Sequence, residues 1–239
     1  MNTIKFDKKN VKVIAHRGVS GIEKENTNSA FVAAGNRSYF GIETDVHVTI
    51  DGKFVIIHDD DTVRVSNYNY QIEKTNYNLL RSIVLNDRDN RLKRQDLIIP
   101  DLEEYIEIAK KYEKICVLEL KNRICKEKIK EMIDIISGIG YLESMIFISF
   151  DRDNMIDLRS FLPDQKLQYL VMEYNKDVFD FITKYNLDLD IHYQHVNKDV
   201  VDELHKNGKE INCWTVDKKE DAEKLVDLGV DYITSNILE

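Results

Sequence analysis

Three carboxylates in two short segments have the types and spacing of a cation site. Glu43 and Asp45 stand two residues apart in the segment Gly41–Val48, and Glu119 stands near the end of Ile115–Leu120. Since every second side chain of a strand points to the same side, Glu43 and Asp45 share one face. If the two segments are neighbouring strands, the three carboxylates converge and repel one another unless positive charge joins them. Oxygen ligands without a thiolate suit a hard divalent cation such as magnesium or calcium; neutralisation by Arg and Lys side chains alone is the alternative.

Two histidines at the ends of further strand-like segments could move protons. His16 follows the apolar run Val11–Ala15, and His58 follows Phe54–Ile57. Histidine titrates near neutral pH, so two of them facing one pocket can serve as general acid and general base. A single histidine is more often an ordinary core or surface residue, but a pair at strand ends beside acidic residues favours the catalytic interpretation.

Alternating strand and helix segments must position these residues. Eight short apolar runs are typical of strands, and amphipathic segments with helical spacing lie between them. The predicted strands are Val11–Ala15, Gly41–Val48, Ile115–Leu120, Met145–Ser149, Lys166–Val171, Asp188–His192, Glu210–Thr215 and Asp231–Thr234. The predicted helices are Asn28–Asn36, Leu102–Tyr112, Lys126–Ser137, Arg152–Phe161, Asp177–Lys184, Lys198–Asn207 and Lys219–Leu228.

The repeated order of strand and helix predicts an α/β fold with a parallel sheet. Eight repeats close most simply as a TIM-type (β/α)8 barrel, whose active site lies at the carboxyl ends of the strands, where the carboxylates and histidines fall. A doubly wound open sheet is the alternative, but it would favour a glycine-rich turn after the first strand, and none follows there.

Two departures from a minimal barrel are expected within a single domain that spans residues 1–239. Asp51-Gly52 predicts a hairpin whose return run is Phe54–Ile57, and residues 58–100 then form a small polar insertion after the second strand. The sequence leaves only five residues after the last predicted strand, so the last helix is short or missing. Asp217 with Glu220 resembles a capping box for Lys219–Leu228, and Gly208 and Gly229 fit helix ends.

Composition narrows the classes of partner. The 239 residues are 43% hydrophobic and 32% charged, as in globular proteins. The net charge of −9 argues against nucleic acid or an anionic membrane as the main partner, although a basic pocket or bound cation could still serve a small anionic substrate. Three well-separated cysteines predict neither a disulfide scaffold nor a zinc site. The opening residues carry no apolar stretch, and no apolar run is long enough to span a membrane. A cytoplasmic location without membrane insertion is therefore expected. The oligomeric state stays open.

Short motifs across nearly the whole chain resemble those of the glycerophosphodiester phosphodiesterase family, in the same order and with fitting gaps. They are His16-Arg17-Gly18, Glu25-Asn26-Thr27, Glu43-Thr44-Asp45-Val46, His58-Asp59, Ile99-Pro100-Asp101-Leu102-Glu103-Glu104, Leu118-Glu119-Leu120-Lys121, Trp214-Thr215-Val216-Asp217 and Gly229-Val230-Asp231. Two positions depart from the family pattern: Lys24 stands where a proline is usual, and Ser235 stands where an aspartate is usual.

The resemblance implies a barrel that binds one divalent cation, magnesium or calcium, and hydrolyses glycerophosphodiesters to glycerol 3-phosphate and an alcohol. It also implies roles for eight of the residues in these motifs. The metal ligands are Glu43, Asp45 and Glu119, the acid–base pair is His16 and His58, the phosphate-binding residues are Arg17 and Lys121, and Trp214 lines the substrate pocket.

Three alternatives remain at this stage. A metal-independent enzyme of the phosphatidylinositol phospholipase C type would use the two histidines but leave the carboxylates without a role. A lysophospholipase D would need an apolar collar at the barrel mouth, whereas the insertion is polar. A binding domain that has lost catalysis would lack one of the five charged or histidine residues of the site, and all five are present.

Overall fold

Eight parallel strands close into a barrel in the computed structural model, which describes residues 2–89 and 94–239. The strands within these ranges are β1 (Lys12–Ala15), β2 (Gly41–Val48), β3 (Phe54–Ile56), β4 (Ile115–Leu120), β5 (Met145–Ser149), β6 (Leu167–Val171), β7 (Asp188–His192), β8 (Ile211–Trp214) and β9 (Tyr232–Ser235). Each barrel strand pairs in parallel with the next, β9 pairs with β1, and β3 runs antiparallel to β2. The predicted TIM-type barrel and its hairpin are therefore confirmed.

Helices cross over between the barrel strands. They are α1 (Asn28–Gly35), α2 (Tyr77–Arg81), α3 (Leu102–Lys111), α4 (Lys126–Ile139), α5 (Arg152–Phe161), α6 (Lys176–Lys184), α7 (Lys198–Lys206) and α8 (Lys219–Leu228). Short 3-10 turns cover Ile72–Lys74, Leu142–Ser144 and Tyr193–His195. All predicted elements are present with ends within two residues, and residues 236–239 contain no helix, as expected. Every helix in the described ranges is too short or too polar to cross a membrane.

The alternation of side chains along the strands separates two apolar layers. Ile42 and Val46 of β2 face outward and pack in the large cluster that includes the helices. Inward-facing residues fill the barrel itself, where they form a second cluster: Ile14, Val117, Ile146, Ile148, Leu170 and Tyr232. Successive side chains of a strand point to opposite faces. Polar residues near the strand ends can therefore face inward while their neighbours stay in the outer apolar layer.

The insertion has a small apolar core of its own. Within its described part, α2 and the flanking loops bury Val65, Ile72, Leu80, Ile83, Leu85, Leu97 and Ile99, which form one cluster with Val55 and Ile57 of the hairpin return. The carboxyl end of the insertion passes into α3, where Asp101 and Glu104 form a reciprocal capping box. Tyr77 of α2 donates to Asp101 (2.7 Å), which joins the insertion to the barrel.

The predicted capping box at α8 is wrong. Lys218 is the residue before the helix, and it makes no side-chain cap. Asp217 instead accepts hydrogen bonds from the backbone N–H (2.8 Å) and the side-chain amide (2.6 Å) of Asn236, and from the hydroxyl of Ser235 (3.0 Å). Contacts with the segment after β9 therefore hold this carboxylate. Gly208 and Gly229 adopt positive φ values of 69° and 92° after their helices, as expected.

Candidate active site

The three predicted metal ligands converge at the carboxyl ends of β2 and β4. The register between these strands sets Asp45 opposite Glu119 and Glu43 opposite Val117. One carboxylate oxygen from each of the three acids lies within 4.8 Å of the other two. All three side chains are buried. Neighbouring parallel strands with charged residues on the same inward face produce this cluster.

Residues of the loop between β1 and α1 orient the carboxylates. The Asn26 amide donates to Asp45 Oδ2 (2.8 Å) and accepts from the Thr44 hydroxyl (2.7 Å), which fixes the orientation of the amide. The backbone N–H of Arg17, in the left-handed region with φ 53°, donates to Glu43 Oε2 (2.8 Å). Gly18 follows with φ 72°, and a Cβ atom there would lie 2.7 Å from the backbone of Ala30. The sequence placed Asn26 in a motif but gave no sign of its contact with Asp45.

Two cations face the carboxylates without balancing them. Arg17 Nε lies 3.6 Å from Asp45 Oδ2, and Lys121 Nζ lies 2.8 Å from Glu119 Oε1 and 3.5 Å from Asp45 Oδ1. Burial and the neighbouring carboxylates raise the pKa of Glu43 well above its ordinary value and that of Glu119 to about 7. Burial alone would raise the pKa of Asp45 as well, but the Arg17 and Lys121 cations hold it below its ordinary value.

This donor set fits a divalent cation. The three acids exceed the two basic side chains by one charge, so a proton or a cation has to neutralise the cluster. Asp45 Oδ1 is buried and accepts no hydrogen bond from the described residues. Carboxylate oxygens are the ligands that magnesium and calcium prefer.

His16 presents one ring nitrogen to this cluster. Its Nδ1 lies 2.8 Å from the side-chain oxygen of Asn236, whose amide nitrogen is held by Asp217. The amide oxygen also accepts from the Ser20 hydroxyl (2.6 Å), so Nδ1 must be the donor in the bond with His16. Nε2 then carries no hydrogen and lies 3.9 Å from Glu43 Oε2. Burial, reinforced by the Arg17 charge, lowers the pKa of His16 to about 4.

His58 faces the same pocket but has an ionised partner. Its Nδ1 lies 2.6 Å from Oδ1 of Asp59, a residue that does not line the pocket, so this nitrogen too is bonded away from the carboxylates. Burial lowers the pKa of His58 below its ordinary value, while the Asp45 charge and the bond to Asp59 act in the opposite direction. Both predicted histidines are therefore beside the carboxylates, with their Nδ1 atoms bonded elsewhere.

An arginine of the insertion forms hydrogen bonds with acidic residues on two sides of the site. Arg64 donates through Nε to Asp59 (2.6 Å) and through its two terminal nitrogens to Glu25 (2.7 and 2.8 Å). Glu25 also accepts from Arg17 (2.9 Å). Arg64 was not predicted from the sequence, because nothing in the polar insertion indicated which of its charged residues reaches the barrel.

The pocket has a charged half and an apolar half. Its volume is about 150 Å³, and its charged lining is formed by His16, Arg17, Glu43, His58, Glu119 and Lys121. Asp45 lies behind this lining, in contact with Arg17 and Lys121. Ile148, Phe150, Leu170 and Trp214 form the apolar half, with Asp190, Thr215 and Thr234 beside them. All eight residues singled out in the sequence are thus brought to one place, and Asp190 was missed.

The remaining histidines near the site have other surroundings. His47 is buried with Nδ1 3.1 Å from Glu73 and Nε2 3.4 Å from the carbonyl oxygen of His58, so both of its nitrogens face protein groups. His192 packs edge-on against Trp214, with ring centroids 5.4 Å apart. Ser235, one of the two departures from the family pattern, donates to Asp217 and accepts from backbone N–H groups after β9.

If Arg17 binds the phosphate, as the motif resemblance predicts, Arg17→Ala should lower kcat/KM on phosphodiesters by about 10- to 100-fold, because a charge-assisted contact that strengthens in the transition state would be lost. Arg17→Lys should stay impaired, since one ammonium group cannot replace a guanidinium that also bonds Glu25. Arg37→Ala, after the other end of α1, is the matched control. Steady-state kinetics check this, and equal activity of the Lys and Arg forms would count against a bidentate phosphate contact.

Comparisons with known proteins agree with the motifs and with the barrel fold. The model of the glycerophosphoryl diester phosphodiesterase family matches residues 16–238. A glycerophosphodiester phosphodiesterase of Bacillus altitudinis is 29% identical over 233 residues, which cover 93% of each protein. A phosphodiesterase from Oleispira antarctica, solved with the product sn-glycerol-3-phosphate, has TM-score 0.86 at 24% identity and covers 98% of this chain and 96% of that one. A glycerophosphodiester phosphodiesterase from Parabacteroides distasonis has TM-score 0.80 at 26% identity, covering 95% and 93%.

A closed barrel with acidic residues, basic residues and histidines at the carboxyl ends of its strands has its polar pocket where barrel enzymes place their active sites. The chain belongs to the glycerophosphoryl diester phosphodiesterase family. This confirms the family and the enzyme class that the motifs predicted.

Proposed function

We propose that the protein hydrolyses glycerophosphodiesters to glycerol 3-phosphate and an alcohol, with one divalent cation at the carboxylate cluster. The observation that carries this proposal is a single pocket in which two basic side chains and two histidines adjoin a cluster of three buried carboxylates. The family match supports the same reaction.

Glu43, Asp45 and Glu119 are the residues that would hold magnesium or calcium. A divalent cation bound there supplies charge neutralisation for the phosphate and polarises a phosphorus–oxygen bond. Without it, the cluster either keeps a surplus negative charge or takes up a proton, and neither state offers an anionic diester the positive charge of a bound cation. We therefore propose that hydrolysis depends on the cation, in contrast to the metal-independent phospholipase C mechanism.

Arg17 and Lys121 are the groups that would bind the phosphate oxygens. Both lie at the pocket wall and are already drawn towards the carboxylates, Arg17 to Asp45 and Lys121 to Glu119. If a divalent cation neutralises the carboxylates, the Arg17 and Lys121 side chains are free to stabilise the negative charge that grows on the phosphate during attack.

The two histidines differ in what supports them, and we assign their roles on that basis. Asp59 backs the ring of His58 with a carboxylate, which favours a proton on that ring, so His58 protonates the leaving alkoxide. The neutral amide of Asn236 backs His16 and leaves its Nε2 as an acceptor, so His16 removes the proton from the attacking oxygen. That oxygen belongs to water or to a hydroxyl of the substrate's own glycerol.

A lysophospholipase D activity is the second candidate. Phe150 and Met172 directly follow β5 and β6 at the barrel mouth, and 41% and 51% of their surfaces are exposed. They give the apolar side of the mouth a surface on which an acyl chain could rest. The polar insertion on the other side favours small glycerophosphodiesters instead.

A panel assay tests the proposal. Glycerophosphocholine, glycerophosphoethanolamine, glycerophosphoglycerol, lysophosphatidylcholine and phosphatidylinositol are incubated with the protein in magnesium, calcium or EDTA. Glycerol 3-phosphate is measured for the small diesters, lysophosphatidic acid for lysophosphatidylcholine and inositol phosphate for phosphatidylinositol. We expect release from the small diesters that EDTA abolishes. Release that persists in EDTA would contradict the cation role, and activity on lysophosphatidylcholine alone would favour the lysophospholipase D. A small-molecule substrate, a single domain over residues 1–239 and a cytoplasmic location remain part of the proposal.

A further inference from the structure

Asp190 is a buried acid on the apolar side of the pocket that the proposed reaction leaves unused. It is the central residue of β7, only 2% of its surface is exposed, and it lines the same pocket as the two histidines. Its Oδ1 atom has no hydrogen-bond partner among the described residues. The indole Nε1 of Trp214, on the neighbouring strand β8, is also buried without a partner.

The surroundings of Asp190 offer it no cation. Its register neighbours are Leu170 on β6 and Asn212 on β8. The Asn212 amide donates to Gln168 (3.3 Å) and its oxygen accepts from the Thr234 hydroxyl (3.1 Å); a side-chain hydrogen bond of Asn212 to Asp190 acts to lower the pKa of that acid and leaves its Oδ1 unpaired among the described residues. No Lys or Arg in the described ranges pairs with Asp190, and burial together with the Glu119 charge raises its pKa well above the ordinary value.

A buried polar atom without a partner is unfavourable, and most such atoms in folded proteins are satisfied. At the wall of a pocket, the missing partner can arrive with the ligand. An acid that tends to keep its proton both donates and accepts hydrogen bonds, and this is the pattern that complements a hydroxyl group. The apolar neighbours Ile148 and Leu170 would pack against carbon atoms on either side of such a hydroxyl.

We propose that Asp190 is a specificity residue that hydrogen-bonds a free hydroxyl of the substrate's glycerol unit, with Trp214 Nε1 as a second contact. This inference rests on the proposed function, because it places the glycerol in the apolar half of the pocket while the phosphate occupies the charged half. The pocket volume of about 150 Å³ suits a small polyol phosphate. Asp190 thus makes the enzyme prefer diesters that carry hydroxyls to simple alkyl diesters.

Kinetics with a matched pair of substrates test Asp190. Glycerophosphocholine is compared with O-propyl phosphocholine, which has the same phosphate and head group but lacks the hydroxyls. Asp190→Leu should lower kcat/KM on glycerophosphocholine by about 10- to 100-fold and leave the propyl diester nearly unchanged, because one hydroxyl contact is lost. Asp190→Asn, which still donates and accepts, should keep most of the preference. Asp188→Asn, on the same face of β7 but two residues towards its amino end, is the control and should leave the preference intact.

Binding separates this inference from the proposed function. The affinities for glycerol 3-phosphate and n-propyl phosphate are measured with magnesium present, using the fluorescence of Trp214, the only tryptophan. The wild type should prefer glycerol 3-phosphate, and Asp190→Leu should bind both alike. A wild type that cleaves no diester would refute the proposed function, while the binding preference would still decide the role of Asp190.

Several results would overturn the role of Asp190. Equal losses on both diesters would indicate a structural role, and an unchanged preference would show that the hydroxyls are bound elsewhere. Asp190→Leu could instead lose a preference for choline over a neutral head group and keep the preference for glycerol. This result would show that Asp190 contacts the ammonium group of the head group. If Asp190→Leu fails to fold, Asp190→Ala is compared by the same ratio.

Discussion

Replacing either His16 or His58 by alanine lowers the turnover of natural glycerophosphodiesters by about two to four orders of magnitude, the usual range for a proton-transfer residue. The expectation rests on the place of both rings in the pocket lining, with each Nδ1 held by a residue outside it. His205→Ala is the matched control, because that ring bonds Asp231 beyond the site. Turnover numbers on glycerophosphocholine provide the measurement.

Substrates with good leaving groups assign the two roles. A nitrophenolate needs no protonation as it departs, so His58→Ala should lose much less activity on a nitrophenyl diester than on glycerophosphocholine, whereas His16→Ala should lose activity on both. Equal losses of both variants on both substrates would remove His58 as the specific acid. Near-normal turnover of either variant on natural diesters would make the pair structural.

The pH profile should be bell-shaped, and each histidine should account for one limb. His16 works in its neutral form, and burial with the Arg17 charge lowers its pKa to about 4, so the rate rises as the pH increases through the acidic limb. His58 works in its protonated form, and its pKa is lowered by burial, so the rate falls as the pH rises further. Residual activity of His58→Ala should therefore lack the alkaline limb, and that of His16→Ala the acidic one.

Glu119→Gln should abolish cation binding and lower turnover together, by about 100- to 1,000-fold. The amide keeps the shape of the side chain but removes the charge that draws a cation to Asp45 and Glu43. Calorimetry with magnesium or calcium and steady-state kinetics measure the two effects. Glu127→Gln, an exposed change in α4, is the control. Normal turnover of the variant, or of the wild type in chelator, would refute the assignment of the ligands.

The same substitution should affect stability in a direction opposite to activity. In the folded protein without cation, chiefly burial raises the pKa of Glu119 to about 7. The ionised form of Glu119 is therefore less favourable in the folded state than in the unfolded state. The stability of the wild type should fall as the pH rises from the ordinary value of a glutamate through 7. Glu119→Gln removes this loss, so above pH 7 the cation-free variant should melt at the same temperature as the wild type or higher. Added cation should stabilise only the wild type.

The sequence predicted the parts of the site that follow from periodicity. Glu43 and Asp45 share a face because a strand repeats every two residues, and the strand order brought Glu119 beside them. The same pattern was present in Asp188–His192, where Asp190 alternates with the apolar Leu189 and Ile191, but no motif drew attention to it.

Contacts between distant segments could not be predicted in this way. His16 and Asn236 are 220 residues apart, and nothing local indicates that their side chains meet. Asp217 was interpreted as a helix cap because its neighbours have that pattern, yet Asn236 and Ser235 compete for the same carboxylate and hold it. The core of the insertion was overlooked because its apolar residues are scattered among polar ones and have no single period.

Hydrolysis of glycerophosphocholine in ¹⁸O-labelled water, followed by phosphorus NMR, tests the central claim most directly. The wild type with magnesium or calcium should produce glycerol 3-phosphate that carries the label on phosphorus, and EDTA or Glu119→Gln should prevent its formation. This result would show that the pocket directs attack at the phosphorus of a glycerol diester. Absence of a glycerol 3-phosphate signal, or a label found in the released alcohol, would contradict the account.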